Sequence, residues 1–73
     1  MKALVYTKPM CGYCISAKNL LKSKGIEYEE RYLDNQRVIK EFVEQHPTKR
    51  SMPQIWLDDE YVGGFRELQQ KLS

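Results

Sequence analysis

In this chain of 73 residues, the stretch that most constrains the fold runs from Ala3 to Tyr32. Ala3-Leu4-Val5-Tyr6-Thr7 is a short apolar, β-branched and aromatic run that stops at Lys8-Pro9, the pattern of a buried strand. Ile15, Ala17, Leu20 and Leu21 then recur at roughly helical spacing among Ser, Lys and Asn. Gly25 stands where a helix end takes a left-handed residue, so a helix is expected over about residues 12–24. Ile26, Tyr28 and Tyr32 alternate with Glu27, Glu29 and Arg31, as in a half-exposed strand. Strand, helix and strand in this order require two parallel strands joined by a right-handed crossover.

The rest of the chain adds to that unit. Asp34 or Asn35 can cap a second helix with the apolar stripe Val38, Ile39, Phe42 and Val43, which Pro47 ends. Pro53-Gln54-Ile55-Trp56-Leu57 and Tyr61-Val62 read as two strands joined through Asp58-Asp59-Glu60. Gly63-Gly64 opens a last short helix, about Phe65 to Leu72. The order β-α-β-α-β-β-α gives an α/β fold, with a four-stranded mixed sheet flanked by helices in one domain over residues 1–73.

Charge excludes little beyond a basic nucleic-acid binder. Twelve basic and 10 acidic residues leave a net charge of +2, with the signs mixed and no basic stripe interleaved with aromatics. No apolar run approaches the ~20 residues that span a bilayer. Ala3–Tyr6 is too short for the apolar region of a secretory signal. The chain reads as a cytoplasmic monomer, in a compartment where a disulfide is more often transient and catalytic than structural.

Both cysteines lie in Lys8-Pro9-Met10-Cys11-Gly12-Tyr13-Cys14, at the junction of the first strand and helix. Residues three apart on a helix have β-carbons ~5–6 Å apart, so a disulfide needs only a small adjustment. Its loop is too short to restrain the unfolded chain much, which argues against a structural staple. Structural zinc takes four ligands, and two Cys with the distant His46 do not supply them. A redox pair is the preferred reading, with no metal. Cys11 faces the unpaired N–H groups and positive dipole of the first turn, with Lys8 nearby, and is expected as the nucleophilic thiolate. Cys14, followed by the apolar helix face, is expected to be the more buried, resolving thiol.

Three segments resemble the glutaredoxin family. Cys11-Gly12-Tyr13-Cys14 is similar to that family's Cys-Pro-Tyr-Cys, Ser51-Met52-Pro53-Gln54-Ile55-Trp56 to its Thr-Val-Pro-x-Ile-Phe, and Val62-Gly63-Gly64-Phe65 to its Ile/Val-Gly-Gly-x. Their order and spacing also match, over nearly the whole chain. The resemblance implies a thioredoxin-like fold and glutathione-dependent thiol–disulfide exchange at Cys11 and Cys14. Glutathione would be a co-substrate, with no tightly bound cofactor. Pro53 would follow a cis bond and turn the Met52 backbone toward the substrate; the residues alone allow an ordinary trans Pro at a strand start. Gly64, Phe65 and the last helix would offer N–H groups to the γ-glutamyl carboxylate. Tyr13 would flank the bound sulfur, and Lys8 would tune Cys11 or meet the glycine carboxylate. Arg37, Lys40, Lys49 and Arg50 form a loose basic group; Lys40 and Arg50 are the candidates within it for that same carboxylate. Phe42, Ile55 and Trp56 read as core.

The chain departs from the pattern at two places that bear on chemistry. Gly12 replaces the Pro, which frees another N–H near the site. Arg66-Glu67 stand where the family often has Thr or Cys and then Asp; Glu67 could take over the Asp's contact with the γ-glutamyl ammonium, and Arg66 keeps its backbone N–H. The resemblance implies glutathionylated proteins, or a disulfide enzyme such as ribonucleotide reductase, as clients. Two alternatives stay open: an electron donor recharged by thioredoxin reductase, and a dimer carrying an iron–sulfur cluster through Cys11 and glutathione.

Overall fold

The computed structural model describes residues 1–73, and its elements follow the expected order: β1 (Lys2–Thr7), α1 (Gly12–Ser23), β2 (Glu27–Tyr32), α2 (Gln36–Gln45), β3 (Gln54–Leu57), β4 (Glu60–Gly63) and α3 (Phe65–Leu72). The strands form one sheet in the order β2-β1-β3-β4. β1 runs parallel to β2 and antiparallel to β3, and β3 and β4 form a hairpin. This is the mixed sheet of a thioredoxin-like fold.

Strand alternation sorts β1 onto two faces. Ala3, Val5 and Thr7 are buried on one, where α1 and α3 supply Ala17, Leu21 and Leu68 and β3 supplies Ile55 and Leu57 to a common core. Burying each of the larger side chains contributes roughly 1.5–3 kcal/mol before entropy is charged against it. The other face carries Tyr6 and Trp56. There Phe42 of α2 packs on Tyr6 with ring centroids 4.6 Å apart, and His46 lies 5.2 Å from Trp56. Phe42 and Ile55 are thus core, and Trp56 is half-buried in this aromatic group.

Local chemistry sets the element ends. The Asn35 side chain caps α2 by accepting from the Val38 N–H at 3.0 Å. The β3–β4 hairpin turns on Asp58 and Asp59, both left-handed at φ +48° and +69°, the backbone that a two-residue turn needs to match strand twist.

Three expectations of burial need correction. β2 is an edge strand and is exposed apart from a half-buried Tyr28, rather than evenly alternating. Of the α2 stripe only Phe42 is buried; Ile39 and Val43 remain 39% and 46% exposed, because the helix rests on the sheet through Phe42 and His46. Ile15 of α1 is 57% exposed and faces away from the core.

Candidate active site

Cys11 is the N-cap of α1, with extended backbone, and Cys14 lies in the first turn. Their α-carbons are 5.3 Å apart and the two sulfurs are joined as a disulfide. The Cys14 N–H donates to Cys11 Sγ at 3.2 Å. That contact and the helix dipole favour negative charge on Cys11 once the bond is reduced. Relative exposure is 9% for Cys11 and 2% for Cys14, so Cys11 is the more accessible of the two. Gly12 is exposed and open around its α-carbon.

The Met52–Pro53 peptide bond is cis, as the resemblance implied and not as the trans strand start the residues alone allowed. It brings the Met52 carbonyl oxygen to 3.7 Å from Cys11 Sγ. Gln54, buried at the start of β3, holds the segment before it: its Nε2 donates to the Ser51 carbonyl at 2.7 Å, and its Oε1 accepts from the Tyr61 hydroxyl at 2.5 Å. Burial first, and then the negative charge of Glu67, raise the Tyr61 pKa above its ordinary value, which keeps the phenol protonated as the donor. Sequence reading passed over Gln54; a polar residue inside an otherwise apolar strand run was the available signal.

A trough of about 430 Å³ runs beside the cysteines, lined by Tyr13, Met52, Pro53, Gly64, Phe65 and Arg66, with Ser51, Glu67 and Gln69. Tyr13 and Phe65 are stacked, with centroids 6.0 Å apart and planes at 27°. At the α3 end, Glu67 lines the trough and also bonds its own helix. Its Oε1 accepts the Gly64 N–H at 2.8 Å, the glutamate half of a capping box, since Gly64 has no side chain to return the bond. Gly63 lies at φ +125°, and a β-carbon there would come within 3.0–3.1 Å of the Glu67 side chain, so both backbone and space call for glycine. A catalytic disulfide at a helix N-terminus, a cis-Pro facing it and a Gly-Gly turn beside it thus meet in one place.

The family model for glutaredoxin matches residues 3–62. The chain belongs to the glutaredoxin family. It is a thiol–disulfide oxidoreductase whose working pair is Cys11 and Cys14. It is 39% identical over 68 residues to a probable glutaredoxin of Synechocystis, covering 92% of this chain and 77% of that one. Among solved structures it is similar to glutaredoxin 1 from Francisella tularensis in complex with cacodylate, at TM-score 0.83 and 31% identity, covering 97% and 91% of the two chains. A buckwheat glutaredoxin–glutathione complex aligns at TM-score 0.78 and 26% identity, over 96% of this chain and 66% of that one.

The remaining candidate residues of this glutaredoxin lie apart from the trough. Lys8 is exposed and lines a separate groove against α2, together with Lys49 and Arg50. Lys49 also sits over the Tyr61 ring, 4.4 Å from its centroid. Arg37 pairs with Glu41 at 3.5 Å, and Lys40 lines neither cavity. Under the site, Thr7 Oγ1 donates to Glu30 Oε2 at 2.6 Å, and Lys18 Nζ reaches the same oxygen at 3.0 Å. The Thr7 hydrogen bond holds the Glu30 carboxyl below its ordinary value; burial opposes the shift, and the Lys18 hydrogen bond and charge add to it. The three residues tie β1, β2 and α1 together, with Lys18 one helical turn beyond Cys14.

Proposed function

We propose that this glutaredoxin reduces protein disulfides and protein–glutathione mixed disulfides, with glutathione as the electron donor. The observation that carries the reading is the trough: Tyr13 and Met52, whose carbonyl lies 3.7 Å from Cys11 Sγ, line it at one end, and Gly64 and Phe65 at the N-terminus of α3 line it at the other. A thiol peptide laid along it would put its sulfur at Cys11 and its γ-glutamyl carboxylate near the Gly64 and Phe65 N–H groups. The buckwheat glutaredoxin bound to glutathione supports the same assignment.

The chemistry follows from the two sulfurs. In the reduced enzyme, the Cys11 thiolate attacks the glutathione sulfur of a mixed disulfide; a Cys11–glutathione disulfide forms and the client leaves as a thiolate. A second glutathione thiolate attacks the glutathione sulfur of that adduct, releasing glutathione disulfide and restoring the Cys11 thiolate. On a client disulfide, Cys11 forms a mixed disulfide with one client sulfur and frees the other as a thiol. Cys14 then gives up its proton and attacks Cys11 Sγ, which releases the first client sulfur and leaves the Cys11–Cys14 bond. Two glutathione molecules reduce that bond in succession. Glutathionylated proteins and ribonucleotide reductase are proposed clients, met by a monomer in the cytoplasm.

The test is a coupled glutathione assay on wild type, Cys11→Ser and Cys14→Ser. Cys11→Ser should lose all activity, and Cys14→Ser should keep the reduction of glutathione mixed disulfides while losing that of protein disulfides. Equal loss from both substitutions would overturn the roles. A second reading, recharging by thioredoxin reductase, is favoured by one feature: the Gly64 N–H is already occupied by Glu67. Turnover with thioredoxin reductase and none with glutathione would select it.

A further inference from the structure

Arg66 carries the one charge in the trough that the exchange steps above leave unused. Arg66 and Glu67 are the only ionic side chains among the lining residues. Arg66 is exposed and makes no ion pair. Glu67 is already engaged. Its Oε1 accepts the Gly64 N–H, and its side chain fills the space that a β-carbon on Gly63 would need. It also lines a second cavity beside β4, with Glu60, Tyr61 and Lys71, and its negative charge helps to raise the Tyr61 pKa there. The uncommitted charge at this end of the trough is therefore positive.

We propose that Arg66 sets the specificity of this end, so that the trough favours a thiol whose acyl arm ends in a carboxylate with no ammonium beside it. The inference rests on the reduction of small-thiol mixed disulfides at Cys11 and narrows which thiol they carry. Glutathione's γ-glutamyl arm ends in an α-amino acid, so its carboxylate and its ammonium share one carbon. A guanidinium attracts the first and repels the second. An ammonium leaving bulk water also needs acceptors, and the one carboxylate in the lining already takes the Gly64 N–H. A plain carboxylate meets neither obstacle. Arg66 offers it a planar pair of N–H donors, and Gln69, one turn further along α3 in the same lining, adds a neutral amide. The stacked Tyr13 and Phe65 line the trough for either arm, so selection falls on the head group.

The test compares two mixed disulfides with 2-mercaptoethanol at pH 7. One is made from glutathione and the other from glutaryl-Cys-Gly, which differs from it only in lacking the α-ammonium. Reduced enzyme meets each in a single turnover, so no recharging donor is needed. The Cys11 thiolate attacks the sulfur that carries the arm, a disulfide forms between Cys11 and that thiol, and 2-mercaptoethanol leaves as the thiolate. Loss of the mixed disulfide gives the rate constant, and bis(2-hydroxyethyl) disulfide, which has no arm, gives the baseline. The glutaryl compound should react about threefold to fivefold faster than the glutathione compound, the scale of a screened charge pair at an exposed site. That ratio should fall toward one in Arg66→Gln, and also at 1 M salt, where screening acts beyond about 3 Å. Arg66→Lys should keep part of it. Taking the ratio within each variant cancels any general change in activity or folding. A ratio of one or below in wild type, or a ratio that Arg66→Gln leaves unchanged, would overturn the proposal. If neither armed disulfide reacts faster than the baseline, the glutathione reading itself fails and takes this inference with it.

Discussion

Replacing Glu67 by Ala should move stability and substrate affinity in opposite directions. The carboxylate accepts the Gly64 N–H at 2.8 Å and so occupies a donor at the end of the trough. A hydrogen bond to a charged group contributes roughly 1.5–3 kcal/mol net when sheltered, and a solvent-facing helix cap is worth about 1 kcal/mol. Glu67 is exposed, so the lower figure applies. Losing it should lower the free energy of unfolding by about 1 kcal/mol, or about 4–8 °C in Tm for a domain of this size. A substrate carboxylate that takes the Gly64 N–H must first displace Glu67. Without that competitor, KM for a glutathionylated peptide should fall about fivefold, the equivalent of about 1 kcal/mol, with kcat unchanged. Urea unfolding measures the first effect and steady-state kinetics the second. A rise in KM would refute the reasoning: Glu67 would then be a direct ligand of the substrate's ammonium group, in the role the family's Asp suggests. No catalysis by wild type with glutathione would instead refute the choice of donor and leave the capping contact untouched.

Three further predictions concern the scaffold. Glu30 has its folded pKa lowered from 4.5, chiefly by the Thr7 hydroxyl, so its contribution to stability is present above 4.5 and is lost as pH falls through the lower folded value. Thr7→Val should therefore cost about 1 kcal/mol at neutral pH, and its difference from wild type in urea unfolding should narrow as pH falls below 4.5; a difference constant with pH would contradict this. Gln54→Leu leaves the Ser51 carbonyl and Tyr61 hydroxyl without their partner, and should cost about 1–3 kcal/mol and reduce kcat/KM by loosening the Met52 segment. Unchanged kinetics on a folded variant would remove Gln54 from the positioning of the site. Leu21→Ala opens a cavity at a fully buried core position and should cost about 2–5 kcal/mol, enough in so small a domain to abolish cooperative thermal unfolding; a sharp transition near the wild-type Tm would argue against a tightly packed core there.

Local signals made much of the architecture legible. The β1 run, Gly25 after α1, Asn35 before α2 and Pro47 after it each encode a boundary through backbone chemistry that does not depend on the rest of the fold. The cysteines were placed by the same means, because a strand followed closely by a helix leaves one junction for them. Ile39 and Val43 were not legible in this way. Periodicity identifies an apolar stripe but not how much of the sheet is available to cover it, and here aromatic packing at Phe42 and His46 holds the helix with those two side chains outside. The Glu67 contact lay in the Gly-x-x-Glu spacing, but its choice between its own helix and a ligand is a matter of tertiary geometry. Lys8 was linked to Cys11 by nearness in sequence and to the glycine carboxylate by the resemblance; its side chain lines the groove against α2, which shares Met52 with the trough.

The sheet order also imposes a timetable on synthesis. β1, one of the two interior strands, is made first, yet its antiparallel partner is residues 54–57, near the other end of the chain. At about 5–20 residues per second, the ribosome needs roughly 2–8 s to pass from Cys11 to Pro53. Throughout that interval the two thiols have the helix that carries them but no Met52 carbonyl beside them and no trough to select what reaches them. A nascent chain held at that stage would present Cys11 as an unguarded thiol, and the pair gains its discrimination only when the second half of the sheet closes over it.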